Sequence, residues 1–79
     1  MQSILELINK IRWDKREKPE EYTFYYLDRI TNEHKAIRFA EIKRIEGNFL
    51  YLERDGEETA IPLHRIKYVK RGNEIIWQR

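Results

Sequence analysis

Cysteine is absent from this sequence of 79 residues, which excludes both a disulfide framework and a thiolate-ligated metal site. Glycine occurs three times and histidine twice, without a glycine-rich phosphate loop or a histidine pair at metal-binding spacing. The residues from which most active sites are assembled are therefore scarce. We expect a protein with no cofactor and no metal, better suited to binding than to catalysis.

Long hydrophobic runs are missing as well. The apolar residues from Ile4 to Ile11 are interrupted by Glu6, Asn9 and Lys10, a pattern that fits neither a signal peptide nor a membrane span. The absence of cysteine is compatible with a reducing compartment, and nothing supports secretion. We therefore expect a soluble cytoplasmic protein with no membrane partner.

Charge is abundant, but the two signs are unevenly distributed. Charged residues make up 38% of the chain and hydrophobic residues 41%, with a formal net charge of +2, which predicts one folded domain over residues 1–79. Acidic residues gather from Glu53 to Glu58, whereas none occurs from Ala60 through Asn73. That acid-free run contains the cations Arg65, Lys67, Lys70 and Arg71. The sequence therefore predicts a domain whose two charges lie on different sides.

Spacing predicts a helix at the amino terminus. Ser3 and Glu6 have the separation of a capping box. One face of the following helix would carry Ile4, Leu7, Ile8 and Ile11. This apolar face has to be buried, so we expect the helix to pack on a sheet and to leave Lys10 exposed.

Short strands are predicted for the rest of the chain. Tyr22 to Leu27 and Ala36 to Phe39 are expected strands, and Ile42 to Ile45 either extends the second past a bend or forms another. No internal repeat is apparent. The predicted class is α+β, with the amino-terminal helix packed on a strongly curved antiparallel sheet or small barrel of five to six strands.

Three pairs of turn residues predict hairpins, at Gly47-Asn48, Asp55-Gly56 and Gly72-Asn73. A two-residue loop at the third pairs Arg71 with Glu74, Val69 with Ile76 and Tyr68 with Trp77. The same loop at the second places Glu53 opposite Glu58. Such a like-charge pair requires the strands to twist apart or a cation to come between them.

His64 and Arg65 are the first candidate binding residues. They follow Pro62, which cannot donate to a sheet ladder, so the chain is expected to bend or to lie at an edge. Side chains beside such irregularities often point out of the sheet. Arg65 could then meet a phosphate through its planar fork and His64 as a protonated donor. Alternatively, His64 caps a strand end and Arg65 is solvated.

Asp28-Arg29 and the aromatic residues have two interpretations each. Asp28 either positions a phosphate-binding Arg29 or initiates a turn, and the turn is favoured. Trp13 either stacks on a base or closes the core under the helix, and the core is favoured for both tryptophans. Along the first strand one face carries Tyr22, Phe24 and Tyr26 and the other Tyr25, which leaves one or two tyrosines for stacking on a ligand.

Four sequence words resemble a small, largely archaeal family of uncharacterised proteins described as an RNA cyclic-group end recognition domain. They are Ile11-Arg12-Trp13-Asp14, Tyr26-Leu27-Asp28-Arg29, Ile61-Pro62-Leu63-His64-Arg65-Ile66-Lys67-Tyr68 and Trp77-Gln78-Arg79, with Pro19 between the first two. The third word is the most specific. The resemblance spans nearly the whole chain, although no family word occurs from Lys35 to Thr59.

The resemblance implies a protein that binds RNA ends carrying a 2′,3′-cyclic phosphate. Its polar positions, together with a neighbouring cation and tyrosine, give the predicted binding set Asp14, Tyr26, Asp28, Arg29, His64, Arg65 and Lys67. Because a cyclic phosphate carries a single negative charge, affinity has to come from shape, stacking and the fork of an arginine.

The resulting prediction is a non-catalytic RNA-binding module that recognises phosphorylated or 2′,3′-cyclic-phosphate RNA ends, with RNA-processing proteins as possible partners. Two alternatives stay open. One is a small RNA phosphodiesterase that uses His64, with His34 as the second acid–base group, although His34 is expected in a polar turn. The other is a protein-interaction module within an RNA-processing complex.

Overall fold

The helix, α1, spans Ile4–Trp13 and begins where its capping residue predicts. In the computed structural model, which describes residues 2–79, the Ser3 hydroxyl accepts the Glu6 backbone N–H at 3.1 Å. The predicted apolar face is buried, and Ile8 and Ile11 are 0% and 1% exposed. Lys10 is exposed. Both the helix and its buried face are therefore confirmed.

Seven antiparallel strands follow the helix in two sheets. They are β1 (Tyr22–Leu27), β2 (His34–Arg38), β3 (Ile42–Glu46), β4 (Phe49–Arg54), β5 (Glu57–Pro62), β6 (Ile66–Arg71) and β7 (Glu74–Gln78). The first sheet has the order β2-β1-β6-β7 and the second the order β3-β4-β5. The α+β class is confirmed. The single curved sheet or small barrel of five to six strands is wrong, since residues 2–79 form two sheets and no closed barrel.

The extra strands arise because two segments are each divided by a 3₁₀ turn. The first turn, Phe39–Glu41, separates β2 from β3, and the second, Leu63–Arg65, separates β5 from β6. Ile42 therefore begins a separate strand instead of extending β2. At each turn the chain passes from one sheet to the other, and we call these places the first and second corners.

An arginine fastens each corner. Arg54 bonds the Ala36 carbonyl, and its Nε lies 2.6 Å from a Glu41 carboxylate oxygen. At the second corner the Arg79 guanidinium donates to the carbonyls of Leu63 and Ile66 at 2.8 and 2.7 Å. The bonds to Ala36, Leu63 and Ile66 each satisfy a backbone carbonyl near one of the corners.

The two corners belong to a structural repeat that the sequence alone did not reveal. In each copy a strand, a 3₁₀ turn, a strand, a Gly-Asn turn and a further strand follow in order. The same residues recur at equivalent places, with Ala36-Ile37 matching Ala60-Ile61 and Ile42-Lys43 matching Ile66-Lys67. One copy crosses from the first sheet to the second, and the other crosses back.

The Asp55-Gly56 hairpin has the predicted register, with Glu53 opposite Glu58. The expected repulsion is met by cations from β3. Lys43 Nζ lies 2.5 Å from a Glu53 carboxylate oxygen, and the Arg44 guanidinium lies 2.8 Å from Glu58. Each glutamate of this like-charge pair is therefore paired with its own cation.

The last hairpin is confirmed, but its register is only partly as predicted. Arg71 faces Glu74, whereas Trp77 lies opposite Val69 and not opposite Tyr68. A bulge in β7 shifts the pairing by one residue, so the expected partners Val69–Ile76 and Tyr68–Trp77 are wrong. The shift turns the Trp77 ring into the core beside the buried Val69, where its Nε1 donates to the Gln2 carbonyl at 2.6 Å.

Replacing Ile8 by alanine tests the docking of the helix. Because Ile8 is fully buried, we expect a loss of about 2 to 5 kcal/mol in the free energy of unfolding. Urea denaturation provides the measurement, and the exposed neighbour Lys10→Ala is the control that should stay close to wild type. An unchanged midpoint for Ile8→Ala would contradict the observed packing.

The first corner should make folding sensitive to acid. The pKa of Glu41 lies below its ordinary value of 4.5, chiefly because Arg54 hydrogen-bonds to its carboxylate. The stabilising contribution is therefore complete above about pH 4.5 and is lost as the pH falls through the lower pKa of the folded state. Glu41→Gln should lower the melting temperature at pH 7 and flatten its decline in acid, whereas the exposed Glu20→Gln should preserve the wild-type profile.

Candidate functional site

Sheet register brings three of the predicted residues to one end of the first sheet. Because β1 and β6 are antiparallel and Tyr26 pairs with Ile66, residues that follow β1 lie beside residues that precede β6. Arg29 belongs to the turn after β1, and His64 and Arg65 belong to the second corner. With Lys67 they form what we call the basic end, consisting of Arg29, His64, Arg65 and Lys67.

The second corner is held by its backbone and by one apolar side chain. Leu63 packs against the core, and its N–H donates to the Asn48 carbonyl at 2.8 Å. Its carbonyl is bonded by Arg79. These contacts fix the turn without using the side chains of His64 and Arg65. His64 is exposed, and Arg65 is half-buried.

Lys67 lies at an irregularity between β1 and β6. Tyr25 pairs with Tyr68 and Tyr26 with Ile66, so Lys67 is an extra residue in a bulge. Its Nζ is 3.3 Å from the His64 carbonyl oxygen, which draws the ammonium group toward the second corner. The bulge therefore adds a cation to the basic end.

Charge at the basic end is not neutralised within the described chain. The ion pairs among residues 2–79 involve other cations, and none includes a member of the basic end. The nearest predicted carboxylate, Asp28, is instead paired with Lys35 at 2.7 Å. An anionic ligand would therefore meet cations that have no competing carboxylate partner.

Asp28 has the turn-forming role favoured by its position. Its Oδ1 accepts the backbone N–H of Ile30 at 2.8 Å and that of Thr31 at 3.4 Å. The hydrogen bond from Lys35, followed by the one from Ile30, lowers the pKa of the Asp28 carboxyl. Asp28 thereby shapes the turn that carries Arg29.

Asp14 makes a similar local structure elsewhere, after the helix. Its Oδ1 accepts the Arg16 backbone N–H at 2.9 Å, and the Arg16 guanidinium lies 3.1 Å from its Oδ2. These bonds, first the side-chain one, lower the pKa of Asp14. The described hydrogen bonds of Asp14 are with Lys10, Arg16 and Glu17 and not with the basic end.

The aromatic candidates separate into core and surface. Tyr26 is half-buried and packs against the core, and Trp77 is buried as expected. Trp13 is 76% exposed, so its expected place in the core is wrong. The reason is helical geometry, because Trp13 follows the buried Ile11 by two residues and therefore lies about 200° around the helix from it.

Sequence reasoning left Arg79 and His34 outside the predicted binding set. Arg79 shapes the second corner, and its place in the word Trp77-Gln78-Arg79 was the available signal. His34 is the first residue of β2 and not part of a turn, and it pairs with Leu27 near the basic end. Its ring centroid lies 5.5 Å from that of Tyr68.

The basic end lies outside the two best-formed clefts of residues 2–79. One of these clefts is lined by residues 75–78 with Gln2 and the other by residues around Thr23 and Arg71. Neither contains a residue of the predicted binding set. Within residues 2–79 no cluster of His, Asp or Glu is arranged to hold a metal ion, and no helix is long and apolar enough to cross a membrane.

Comparison with known proteins covers the whole chain. Residues 1–79 match the family model described as the MJ1316 RNA cyclic group end recognition domain. The UPF0248 protein LS215_2790 of Saccharolobus islandicus strain L.S.2.15 is 43% identical over 79 residues, covering 96% of this chain and 98% of that protein. UPF0248 protein SSO2687 of Saccharolobus solfataricus is 38% identical over 79 residues, with 96% and 95% covered. No solved structure gives a significant match.

The turn-forming role of Asp28 can be tested by its effect on thermal stability. Asp28→Ala removes the acceptor for two backbone N–H groups and the partner of Lys35, so we expect a lower melting temperature. Asp28→Asn should retain more of it, because its amide oxygen can still accept from the Ile30 N–H. Thermal unfolding followed by circular dichroism provides the measurement, and equal melting temperatures for both variants would contradict the turn-forming role.

Proposed function

The chain belongs to the MJ1316 RNA cyclic group end recognition domain family, and we propose that it binds RNA ends carrying a 2′,3′-cyclic or other terminal phosphate without catalysing a reaction. Residues 1–79 would act as one binding domain. The observation that carries this proposal is the basic end, where the two family words that contain Arg29, His64 and Arg65 meet.

The structural repeat supplies an internal comparison for this site. Glu41 and Arg65 are both the third residue of their 3₁₀ turns. At the first corner Glu41 is occupied by Arg54, so the corner is internally neutralised. At the second corner Arg79 bonds backbone carbonyls instead, and Arg65 keeps its charge without a described carboxylate partner. Support of the fold therefore does not explain the cation at this position.

Each member of the basic end would have a distinct part in holding the terminal phosphate. The planar guanidinium of Arg65 can donate two parallel hydrogen bonds to the phosphate oxygens. His64 would add a donor from the same turn, while Arg29 would approach from the turn that Asp28 shapes. Lys67 would contribute a less directional charge. A singly charged cyclic phosphate suits such a site, because directional donors and shape then decide between RNA ends.

Substituting Arg65 tests the proposal directly. Arg65→Ala should weaken binding of a cyclic-ended oligonucleotide by about 1.5 to 3 kcal/mol, or roughly 10- to 150-fold, as expected for loss of a charge-assisted hydrogen bond. Arg65→Lys should recover part of the affinity, since an ammonium cannot make the bidentate contact. Binding isotherms would be recorded with one oligonucleotide ending in cyclic phosphate, linear phosphate or hydroxyl.

The exposed helix residue Arg12 provides the matched control, and Arg12→Ala should bind all three ends like wild type. Equal wild-type affinity for the cyclic and hydroxyl ends would overturn the end-recognition proposal. Conversion of the cyclic end to a linear phosphate during the titration, abolished in His64→Ala, would favour the phosphodiesterase alternative.

A further inference from the structure

The first sheet has an outer face, turned away from the core, that the predicted binding set does not include. Phe24, Ile37 and Val69 point inward and are 0% exposed. Their strand neighbours therefore point outward. By the sheet register this outer face carries Tyr25, His34, Ala36, Arg38, Tyr68 and Lys70.

Two tyrosines form the centre of the outer face. Tyr25 pairs with Tyr68 across β1 and β6, and their rings are stacked with centroids 4.6 Å apart and planes at 16°. The His34 ring lies against Tyr68 at 5.5 Å. Tyr25 and Tyr68 are half-buried, so they retain accessible surface.

By the strand order, the side of Tyr25 opposite Tyr68 faces β2, and we call the space above the β2 residue paired with Tyr25 the slot. The residue paired with Tyr25 on β2 is Ala36, which is exposed and small. Directly paired side chains lie about 5 Å apart at Cβ, so a larger residue here would fill the space beside the tyrosine ring. Arg38 follows Ala36 by two residues on β2 and flanks the slot, whereas the ring of His34, two residues before Ala36, lies against Tyr68.

Charge on the outer face is of one sign. Lys70 Nζ lies 5.6 Å from the centroid of the Tyr25 ring, and Arg38 projects from the neighbouring strand. Neither cation belongs to an ion pair among the described residues. The Glu41 carboxylate, which accepts the Arg38 backbone N–H at 2.8 Å, is paired with Arg54, and Glu20, Glu21 and Glu74 line a cleft beyond Thr23.

We propose that the outer face binds single-stranded RNA, with a base stacked in the slot beside Tyr25 and backbone phosphates held by Arg38 and Lys70. Aromatic rings interleaved with cations suit this ligand, because every base offers a π-face and every nucleotide a phosphate. The face adjoins the basic end through His34 and Leu27. The inference rests on the proposed function and assigns the outer face to the nucleotides that precede the terminal one.

The test uses three ligands, namely a pentanucleotide ending in cyclic phosphate, the same pentanucleotide ending in hydroxyl, and a 2′,3′-cyclic mononucleotide. Tyr25→Ala should weaken both pentanucleotides by the same factor, roughly 5- to 150-fold for one lost stacking contact. Its affinity for the mononucleotide should not change. Tyr25→Phe should bind like wild type because the stacking ring is kept.

Tyr51→Ala is the matched control, since Tyr51 lies on β4 of the second sheet beneath Arg44 at 4.3 Å. It should bind all three ligands like wild type. Ala36→Ile covers the case in which Tyr25→Ala fails to fold, because a β-branched residue suits an exposed strand position. This variant should keep or raise the melting temperature while weakening both pentanucleotides, since it fills the slot.

The outcomes separate this inference from the proposed function. Unchanged pentanucleotide affinity in folded Tyr25→Ala and Ala36→Ile would overturn the outer-face site, even if Arg65→Ala still selectively weakened the cyclic end. If wild type bound both ends equally while these two variants weakened both, end recognition would fail and the single-strand site would stand. Equal loss in Tyr51→Ala would show a general effect on folding and would also overturn the inference.

Discussion

The two corners, where the chain passes from one sheet to the other, are the constraint on which the rest of the structure depends. Where the chain leaves one sheet for the other, backbone carbonyls near the corner still need hydrogen-bond donors. Arg54 supplies a donor at the first corner, and Arg79 supplies donors at the second. The crossing also lets one segment bury apolar residues on both sides of its turn, so Ile61 and Ile66 enter the same core. In this way two small sheets of a 79-residue chain share one close-packed core.

The same constraint separates the residues that support the fold from those available to a ligand. Leu63 holds the second corner through its core packing and its backbone hydrogen bond. The side chains of His64 and Arg65 are not used in these contacts. At the first corner the equivalent position is Glu41, which Arg54 engages. The two corners therefore differ mainly in where their charges lie, and this difference supports the proposed anion site at the second corner.

Features encoded by local chemistry were predictable from sequence, whereas features set by tertiary packing were not. The helix followed from its spacing, and the Glu53–Glu58 register followed from the turn at Asp55-Gly56. The bulge in β7 was not predicted because no turn residue marks its position. The burial of Trp77 beside Val69 favours the bulge. The first corner was not predicted because Phe39 is equally compatible with a strand by its residue type. For the site, the family words located the basic end, but the pairing of Tyr25 with Tyr68 required the sheet register.

A net charge of +2 is compatible with a nucleic-acid surface because several of the acidic residues are neutralised locally. On the second sheet Lys43 and Arg44 engage Glu53 and Glu58, and near the basic end Lys35 engages Asp28. Exposed pairs of this kind add little stability, but they remove carboxylates from competition with a phosphate. The remaining cations then act over a short range, since salt screens charges beyond about 8 to 10 Å. In the proposed function, selectivity comes from where the cations lie relative to aromatic rings and turns, and the outer face and the basic end of the first sheet are the two places where we propose that this arrangement is used.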